Sequence, residues 1–186
     1  MNIYMTGVGG QGIGLLSEAL LRALDRAGQT ARGVDTHGLA QRGGVVVSQI
    51  RTGKGEFSPL IVPGEAHLAI ALERHEALRA VNGYLRDGGA LIYYDEVWQP
   101  WDVRSGAQPE TTVGQIEKVC RERGIRVFRV CRDDLPDPRM QNTAVLRELL
   151  EQELIPGLSL EHMEEAFRDL LPGKALEANL RVLTGT

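Results

Sequence analysis

The chain has 186 residues, of which 42% are hydrophobic and 25% charged, and its formal net charge is −4 at pH 7. This length predicts a single domain over residues 1–186 that can bury a core, and the slight acidity excludes a general affinity for nucleic acid. No apolar run reaches the roughly 20 residues of a membrane helix, and no signal-peptide pattern precedes the first predicted strand. We therefore expect a cytoplasmic protein without a membrane partner.

A glycine-rich segment follows the first predicted strand, Ile3-Tyr4-Met5. It reads Gly7-Val8-Gly9-Gly10-Gln11-Gly12 and leads into a helix whose apolar residues recur every three or four positions. The spacing fits the G-x-G-x-x-G dinucleotide motif, in which backbone amides and a helix N-terminus approach a phosphate. A tight strand-to-helix turn also needs glycine when no ligand is present. At this point both interpretations remain open.

The predicted helix ends near Gly28, and a second strand is predicted over Thr30–Asp35. Asp35 lies about 20 residues beyond the glycines, where a ribose-binding carboxylate of a nicotinamide-dependent enzyme would lie. The opening therefore has the pattern of a β-α-β unit. A stand-alone NAD(P)-dependent oxidoreductase is one possible function, although the chain lacks a substrate domain and a recognisable Ser/Tyr/Lys proton relay.

A loop rich in polar side chains and glycine follows the second strand, and it contains His37-Gly38 and Gln41-Arg42-Gly43-Gly44. If the first two strands are parallel, this loop and the glycine turn lie at the same edge of the sheet. Arg42 could then bind a phosphate or carboxylate through its guanidinium fork. The alternative is a self-contained loop, in which Arg42 pairs with Asp35 and His37 bonds to the backbone.

The remaining segments continue an α/β pattern. Val45–Arg51, the turn Gly53-Lys54-Gly55 and Phe57–Val62 predict a hairpin-like insertion. Further strands and helices are predicted in the order His67–Leu72, a helix closed by Gly88-Gly89, Ala90–Tyr94, Val113–Arg123, Val127–Val130, a helix starting at Asp137-Pro138, one capped by Ser159, and a last helix after Pro172-Gly173. We expect a Rossmann-like α/β fold: a mostly parallel sheet, a small antiparallel insertion and a helical C-terminal tail packed on the sheet.

The only two cysteines, Cys120 and Cys131, are too few and too separated for a zinc site or a four-cysteine cluster. We expect buried, reduced thiols and no metal site. Trp98 and Trp101 lie in an irregular stretch and could be core anchors or part of a subunit interface.

The two glycine motifs together carry a family resemblance. With Ser48-x-x-Arg51, Ser58-Pro59 and Leu72-Glu73, and with Gln141-Asn142 and Lys174 to Leu183 near the end, the chain resembles the gamma subunit or domain of 2-oxoacid:ferredoxin (acceptor) oxidoreductases. The closest resemblance is to the indolepyruvate or 2-oxoglutarate type, and it covers nearly the whole chain.

This resemblance implies a subunit of an enzyme that oxidatively decarboxylates a 2-oxoacid to an acyl-coenzyme A. The partner subunits would hold thiamine diphosphate, Mg and the iron-sulfur clusters, ferredoxin would accept the electrons, and the chain itself would carry no cofactor and be inactive alone.

By resemblance the chain would help to assemble the complex and to bind coenzyme A as a co-substrate, with no catalytic residue of its own. The binding residues would be Gly7, Gly9, Gly10, Gln11, Gly12, His37, Gln41, Arg42, Gly43 and Gly44. The family does not use the glycine turn for NAD. A non-catalytic nucleotide-binding or assembly module is the other alternative.

Overall fold

The computed structural model describes residues 1–37, 44–55, 58–98, 103, 105–107 and 109–186, and only the backbone of His37. Within these residues a six-stranded sheet forms. Its strands are β1 (Asn2–Val8), β2 (Ala31–His37), β3 (Val45–Thr52), β4 (Ala66–Ala71), β5 (Leu85–Tyr94) and β6 (Arg126–Val130). Their order in the sheet is β2-β3-β1-β4-β5-β6.

The described helices are α1 (Ile13–Arg26), α2 (Arg74–Gly83), α3 (Val113–Glu122), α4 (Gln141–Glu151), α5 (Leu160–Leu170) and α6 (Gly173–Thr184), with a short 3-10 turn over Pro138–Met140 before α4. The predicted Ser159 cap is confirmed: its hydroxyl accepts a hydrogen bond from the His162 amide at the start of α5. None of the described helices is long and apolar enough to cross a membrane.

The expected mostly parallel sheet is confirmed, since β1, β4, β5 and β6 pair in parallel. The hairpin interpretation is wrong, because β3 pairs antiparallel with both β1 and β2 and lies between them. Residues 58–62 form no strand. Pro59 lies within this segment and Pro63 follows it, and neither can donate a ladder hydrogen bond. The Ile61 amide instead donates to Gln49 Oε1 over 2.7 Å. Phe57 lies outside the described residues.

The interpretation of Gly88-Gly89 as a helix end is also wrong. Helix α2 ends at Gly83, and both glycines lie inside β5, where the register with β4 shifts between the pairs Ala66↔Leu85 and Leu68↔Ala90. A Cβ at Gly89 would lie 3.1 Å from the His67 carbonyl oxygen, and Gly88 has a φ of +69°. The two glycines are therefore required by a bulge within strand β5 and not by the end of a helix.

Two apolar clusters cover the two faces of the sheet. One contains Leu20 of α1 and Phe167 of α5, and the other contains Val81 of α2 and Ile116 of α3. The C-terminal helices join the first cluster, with α4 against β5, α5 against α1, and α6 against α4 and α5. Since α1 follows β1 on one face and α2 follows β4 on the other, the carboxyl ends of β1 and β4 form the topological switch point, where open α/β sheets bind ligands.

Candidate functional site at the glycine turn

The glycine turn connects β1 to α1 at this switch point. Gly10 and Gly12 have φ angles of +107° and +82°, values that residues other than glycine rarely adopt. Gly12 is the N-cap of α1, and no side chain in the described part of the chain caps this helix. The first amides of α1 therefore lack a side-chain acceptor among the described residues, and the helix N-terminus is suited to bind an anion.

Gln11 closes the turn from inside. Its side chain is fully buried, its Oε1 accepts a hydrogen bond of 2.7 Å from the Val8 amide, and its Nε2 donates one of 2.7 Å to the Leu72 carbonyl. A Cβ at Gly7 would lie 3.0 Å from Gln11 Oε1 and 3.1 Å from the Ile13 side chain. Gly7 and Gln11 thus shape the turn, and the Gln11 amide group is already engaged by the backbone.

The second loop approaches the turn at Gly44. The Gly9 amide donates a hydrogen bond of 2.9 Å to the Gly44 carbonyl, as expected for loops that leave β1 and β2 at the same edge of the sheet. The side chain of His37 and all of Gln41, Arg42 and Gly43 lie outside the described residues.

Asp35 has a different environment from that of a ribose ligand. Its Oδ1 accepts hydrogen bonds from Ser17 Oγ, over 3.2 Å, and from Ser48 Oγ. Ser17 lies on α1 and Ser48 on β3, and both are buried. The Asp35 carboxylate therefore links the helix to two strands through hydroxyl groups.

Two residues beside the turn were not assigned to the site from the sequence. Asn142 Nδ2 donates to the Gly12 carbonyl over 3.3 Å and would lie 2.7 Å from a Cβ at Gly12. The Trp98 ring would lie 3.7 Å from a Cβ at Gly10, and the residue is 38% exposed. The neighbouring Gln141 is fully buried, and its amide nitrogen and oxygen have no hydrogen-bond partner among the described residues. The start of α4 and Trp98 thus belong to the walls of the turn.

Two buried carboxyl groups lie behind the switch point. Glu73 is fully buried two residues after β4. Its Oε1 accepts a hydrogen bond from the Glu76 amide, and its Oε2 has no partner among the described residues. Burial raises the pKa of Glu73 to about 7. Glu76 accepts a hydrogen bond of 3.0 Å from Thr6 Oγ1 and pairs with Arg79 over 2.7 Å, and burial raises its pKa as well. The sequence signal that could have identified Glu73 is an acidic residue directly after the predicted strand His67–Leu72.

Within the described residues no group of three or more His, Cys, Asp or Glu side chains could hold a metal ion. Both cysteines are unpaired. Cys120 is buried as expected, and burial raises the pKa of its thiol to about 11. The expectation for Cys131 is wrong: this residue is exposed, because it follows the last residue of the edge strand β6.

Comparison with protein families and sequences gives matches over almost the whole chain. The model of the pyruvate ferredoxin/flavodoxin oxidoreductase family matches residues 2–185. The indolepyruvate oxidoreductase subunit IorB of Archaeoglobus fulgidus is 33% identical, and the match covers 98% of this chain and 92% of that protein. IorB of Thermococcus kodakarensis is 31% identical, with 97% and 91% covered.

Solved structures share the fold at lower identity. The keto/oxoacid ferredoxin oxidoreductase gamma subunit from Geobacter sulfurreducens has a TM-score of 0.62 at 18% identity, with 100% of this chain and 99% of that chain covered. The 2-oxoglutarate:ferredoxin oxidoreductase from Magnetococcus marinus, solved with 2-oxoglutarate, coenzyme A and succinyl-CoA bound, has a TM-score of 0.67 at 18% identity. That match covers 100% of this chain but 30% of the other.

Proposed function

Because the chain belongs to the pyruvate ferredoxin/flavodoxin oxidoreductase family, we propose that it is the gamma-type subunit of a cytoplasmic 2-oxoacid:ferredoxin oxidoreductase. The complex would decarboxylate a 2-oxoacid oxidatively and transfer the acyl group to coenzyme A. Partner subunits would supply thiamine diphosphate, Mg and the iron-sulfur clusters, and ferredoxin would accept the electrons. The near full-length similarity to IorB subunits is the observation that carries this proposal.

The glycine turn would bind the phosphate groups of coenzyme A in the assembled enzyme. Its uncapped α1 N-terminus and the glycine backbone at Gly10 and Gly12 support this role, because a diphosphate is bound by close backbone approach and a helix N-terminus. The enzyme from Magnetococcus marinus, which contains a region of this fold, has coenzyme A bound.

The other candidate residues would contribute in two ways. Gly7 and Gln11 would hold the shape of the turn, since the Gln11 amide already bonds to Val8 and Leu72. Gly9 and Gly44 would join the two loops through their backbone hydrogen bond. From the second loop, His37, Gln41, Arg42 and Gly43 would face the ligand, with Arg42 as the anion-binding fork.

Coexpression with the proposed partners, a thiamine diphosphate-binding subunit and an iron-sulfur subunit, tests this function. We expect the chain to copurify with a thiamine diphosphate-binding subunit, and the complex to form acyl-coenzyme A from a 2-oxoacid with reduction of ferredoxin. Failure to copurify, or a complex that forms no acyl-coenzyme A from pyruvate, 2-oxoglutarate and arylpyruvates, would refute it.

A stand-alone NAD(P)-dependent oxidoreductase is the less favoured function, because Ser17 and Ser48 already bind the Asp35 carboxylate. An assembly module without a ligand would also explain the Gly9–Gly44 contact. The effect of Arg42 substitution on coenzyme A use distinguishes this alternative from ligand binding.

A further inference from the structure

A cavity lies at the edge of the sheet opposite to the glycine turn. Its volume is about 510 Å³, and its walls include residues from the N-terminal parts of the three strands β4, β5 and β6. The apolar part of the wall includes Leu68, Leu154 and Pro156. We call it the basal cavity. Its size is within the range of small-molecule sites, which is roughly 300–1,000 Å³.

The bulge in β5 shapes this cavity and places the side chains of Arg86 and Asp87 in different surroundings. Four residues of β5, 86–89, lie opposite a single residue of β4, His67, between the pairs Ala66↔Leu85 and Leu68↔Ala90. Arg86, Gly88 and Gly89 line the cavity. Asp87 does not line it, because its carboxylate pairs with Arg123 over 2.6 Å. The bulge therefore presents a cation to the cavity and directs the adjacent carboxylate elsewhere.

The described residues that line the basal cavity include two arginines and a histidine but no aspartate or glutamate. Neither Arg86 nor Arg126 has an ion-pair partner in the described part of the chain, although Arg126 lies 5.7 Å from the centre of the Phe128 ring. Other arginines are neutralised by carboxylates, as Arg74 and Arg129 are by Asp95. In a chain of net charge −4, two unneutralised guanidinium groups at one cavity form a local positive field.

His67 also lines the cavity, and its tautomer follows from a backbone contact. Its Nδ1 accepts a hydrogen bond of 3.0 Å from the Asn2 backbone amide, which can only donate. Nδ1 is therefore unprotonated, and the ring carries its proton on Nε2. Desolvation and the neighbouring charge of Arg86 lower the pKa of His67, which favours the neutral form of the ring. It can thus donate one hydrogen bond to an anion without adding charge.

We propose that the basal cavity binds a small organic molecule through an oxyanion, a phosphate or a carboxylate, held by Arg86 and Arg126. Guanidinium groups match both anions because their planar N–H forks donate paired hydrogen bonds. The apolar wall would contact the uncharged part of the ligand. This site is separate from the glycine turn and does not depend on the function proposed for it.

Calorimetric titration of the full chain at constant ionic strength tests the site, with pyrophosphate and citrate as the phosphate and carboxylate probes. We expect saturable binding of at least one probe, weakened about tenfold or more in both Arg86→Gln and Arg126→Gln, which is the loss expected for one charge-assisted hydrogen bond. The probe that binds more tightly identifies the anion class.

Arg181→Gln is the control variant, because it removes an exposed arginine of α6 that is outside the basal cavity. It should bind the probe as the wild type does. Arg42→Gln separates the two sites: a probe that loses affinity in Arg42→Gln but not in Arg86→Gln or Arg126→Gln binds at the glycine turn, which would overturn the proposal. The proposal is overturned if neither probe binds saturably, or if Arg86→Gln and Arg126→Gln, with unchanged melting temperatures, bind as tightly as the wild type.

Discussion

Gln11 Nε2 donates a hydrogen bond of 2.7 Å to the Leu72 carbonyl, and this contact joins the glycine turn to the end of β4. The same side chain accepts from the Val8 amide. One buried amide thus fixes the conformation of the turn and its position against the neighbouring parallel strand. Contacts within the chain therefore hold the shape of the turn.

Replacing Gln11 by Leu should destabilise the fold, because the Val8 amide and the Leu72 carbonyl would lose their buried partner. Each unsatisfied group costs about 1–3 kcal/mol, so we expect a loss of about 2–6 kcal/mol in the free energy of unfolding, measured with urea. Gln152→Leu, on an exposed residue after α4, is the control and should change it by less than about 0.5 kcal/mol. Equal stability of the two variants would contradict this assignment.

A side chain at Gly12 should destabilise the fold for two reasons, a close contact with Asn142 and an unfavourable positive φ angle. In Gly12→Ala the new Cβ would lie 2.7 Å from Asn142 Nδ2, at a φ of +82°, and the left-handed backbone alone costs about 1–2 kcal/mol. Adding Asn142→Ala should recover only the part due to the contact. Gly114→Ala, in α3 with no atom within 4 Å of the new Cβ, should instead stabilise by about 0.5–1 kcal/mol. Thermal unfolding of the three variants and the wild type measures these differences.

Arg42→Ala should weaken the use of coenzyme A by the assembled complex. Loss of a charge-assisted hydrogen bond costs about 1.5–3 kcal/mol, or roughly ten- to a hundredfold in affinity. The Michaelis constant for coenzyme A and the melting temperature should be measured together, with Arg181→Ala as the control. An unchanged constant in a complex of unchanged assembly would make Arg42 a structural residue and the loop a contact for a partner subunit.

Glu73 should make the stability of the chain depend on pH. Its pKa is about 7 in the folded state and about 4.5 when exposed, so the folded state binds the proton more tightly. The free energy of unfolding should therefore fall as the pH rises from about 4.5 to 7, by at most about 3 kcal/mol. Glu73→Gln keeps an oxygen acceptor for the Glu76 amide and should remove this slope in urea unfolding at several pH values.

The neighbouring buried acid Glu76 could contribute to the same slope, so Glu76→Gln should be measured in parallel. Glu122→Gln, on the surface of α3, is the control for a general charge effect. A slope that persists in Glu73→Gln and disappears in Glu76→Gln would assign the effect to the second carboxyl.

The isolated chain should neither oxidise 2-oxoacids nor bind thiamine diphosphate or iron, since it has two cysteines and, among its described residues, no metal-binding group. Reconstitution with iron and sulfide should leave it colourless in visible absorption spectra. A stable chromophore, or turnover of pyruvate, 2-oxoglutarate or an arylpyruvate by the chain alone, would refute this.

Local patterns in the sequence determined most of the elements and the edge at which the loops meet. The spacing of apolar residues predicted α1, Ser159 predicted the cap of α5, and the glycines of the turn predicted a strand-to-helix junction. These features depend on neighbours within a few residues, because helix periodicity, capping and positive φ angles are local properties. The convergence of the two loops followed from the direction of the strands.

Only the tertiary structure decided which groups meet across long separations. The insertion of β3 between β1 and β2, the buried bond of Gln11 to Leu72 and the unpartnered carboxyl oxygen of Glu73 each depend on segments distant in the chain. The bulge that separates Arg86 from Asp87 depends likewise on the pairing of β5 with β4. The residue type determines which hydrogen bonds a side chain can donate or accept. The packing in three dimensions determines its partner and how much of its contact with water is lost.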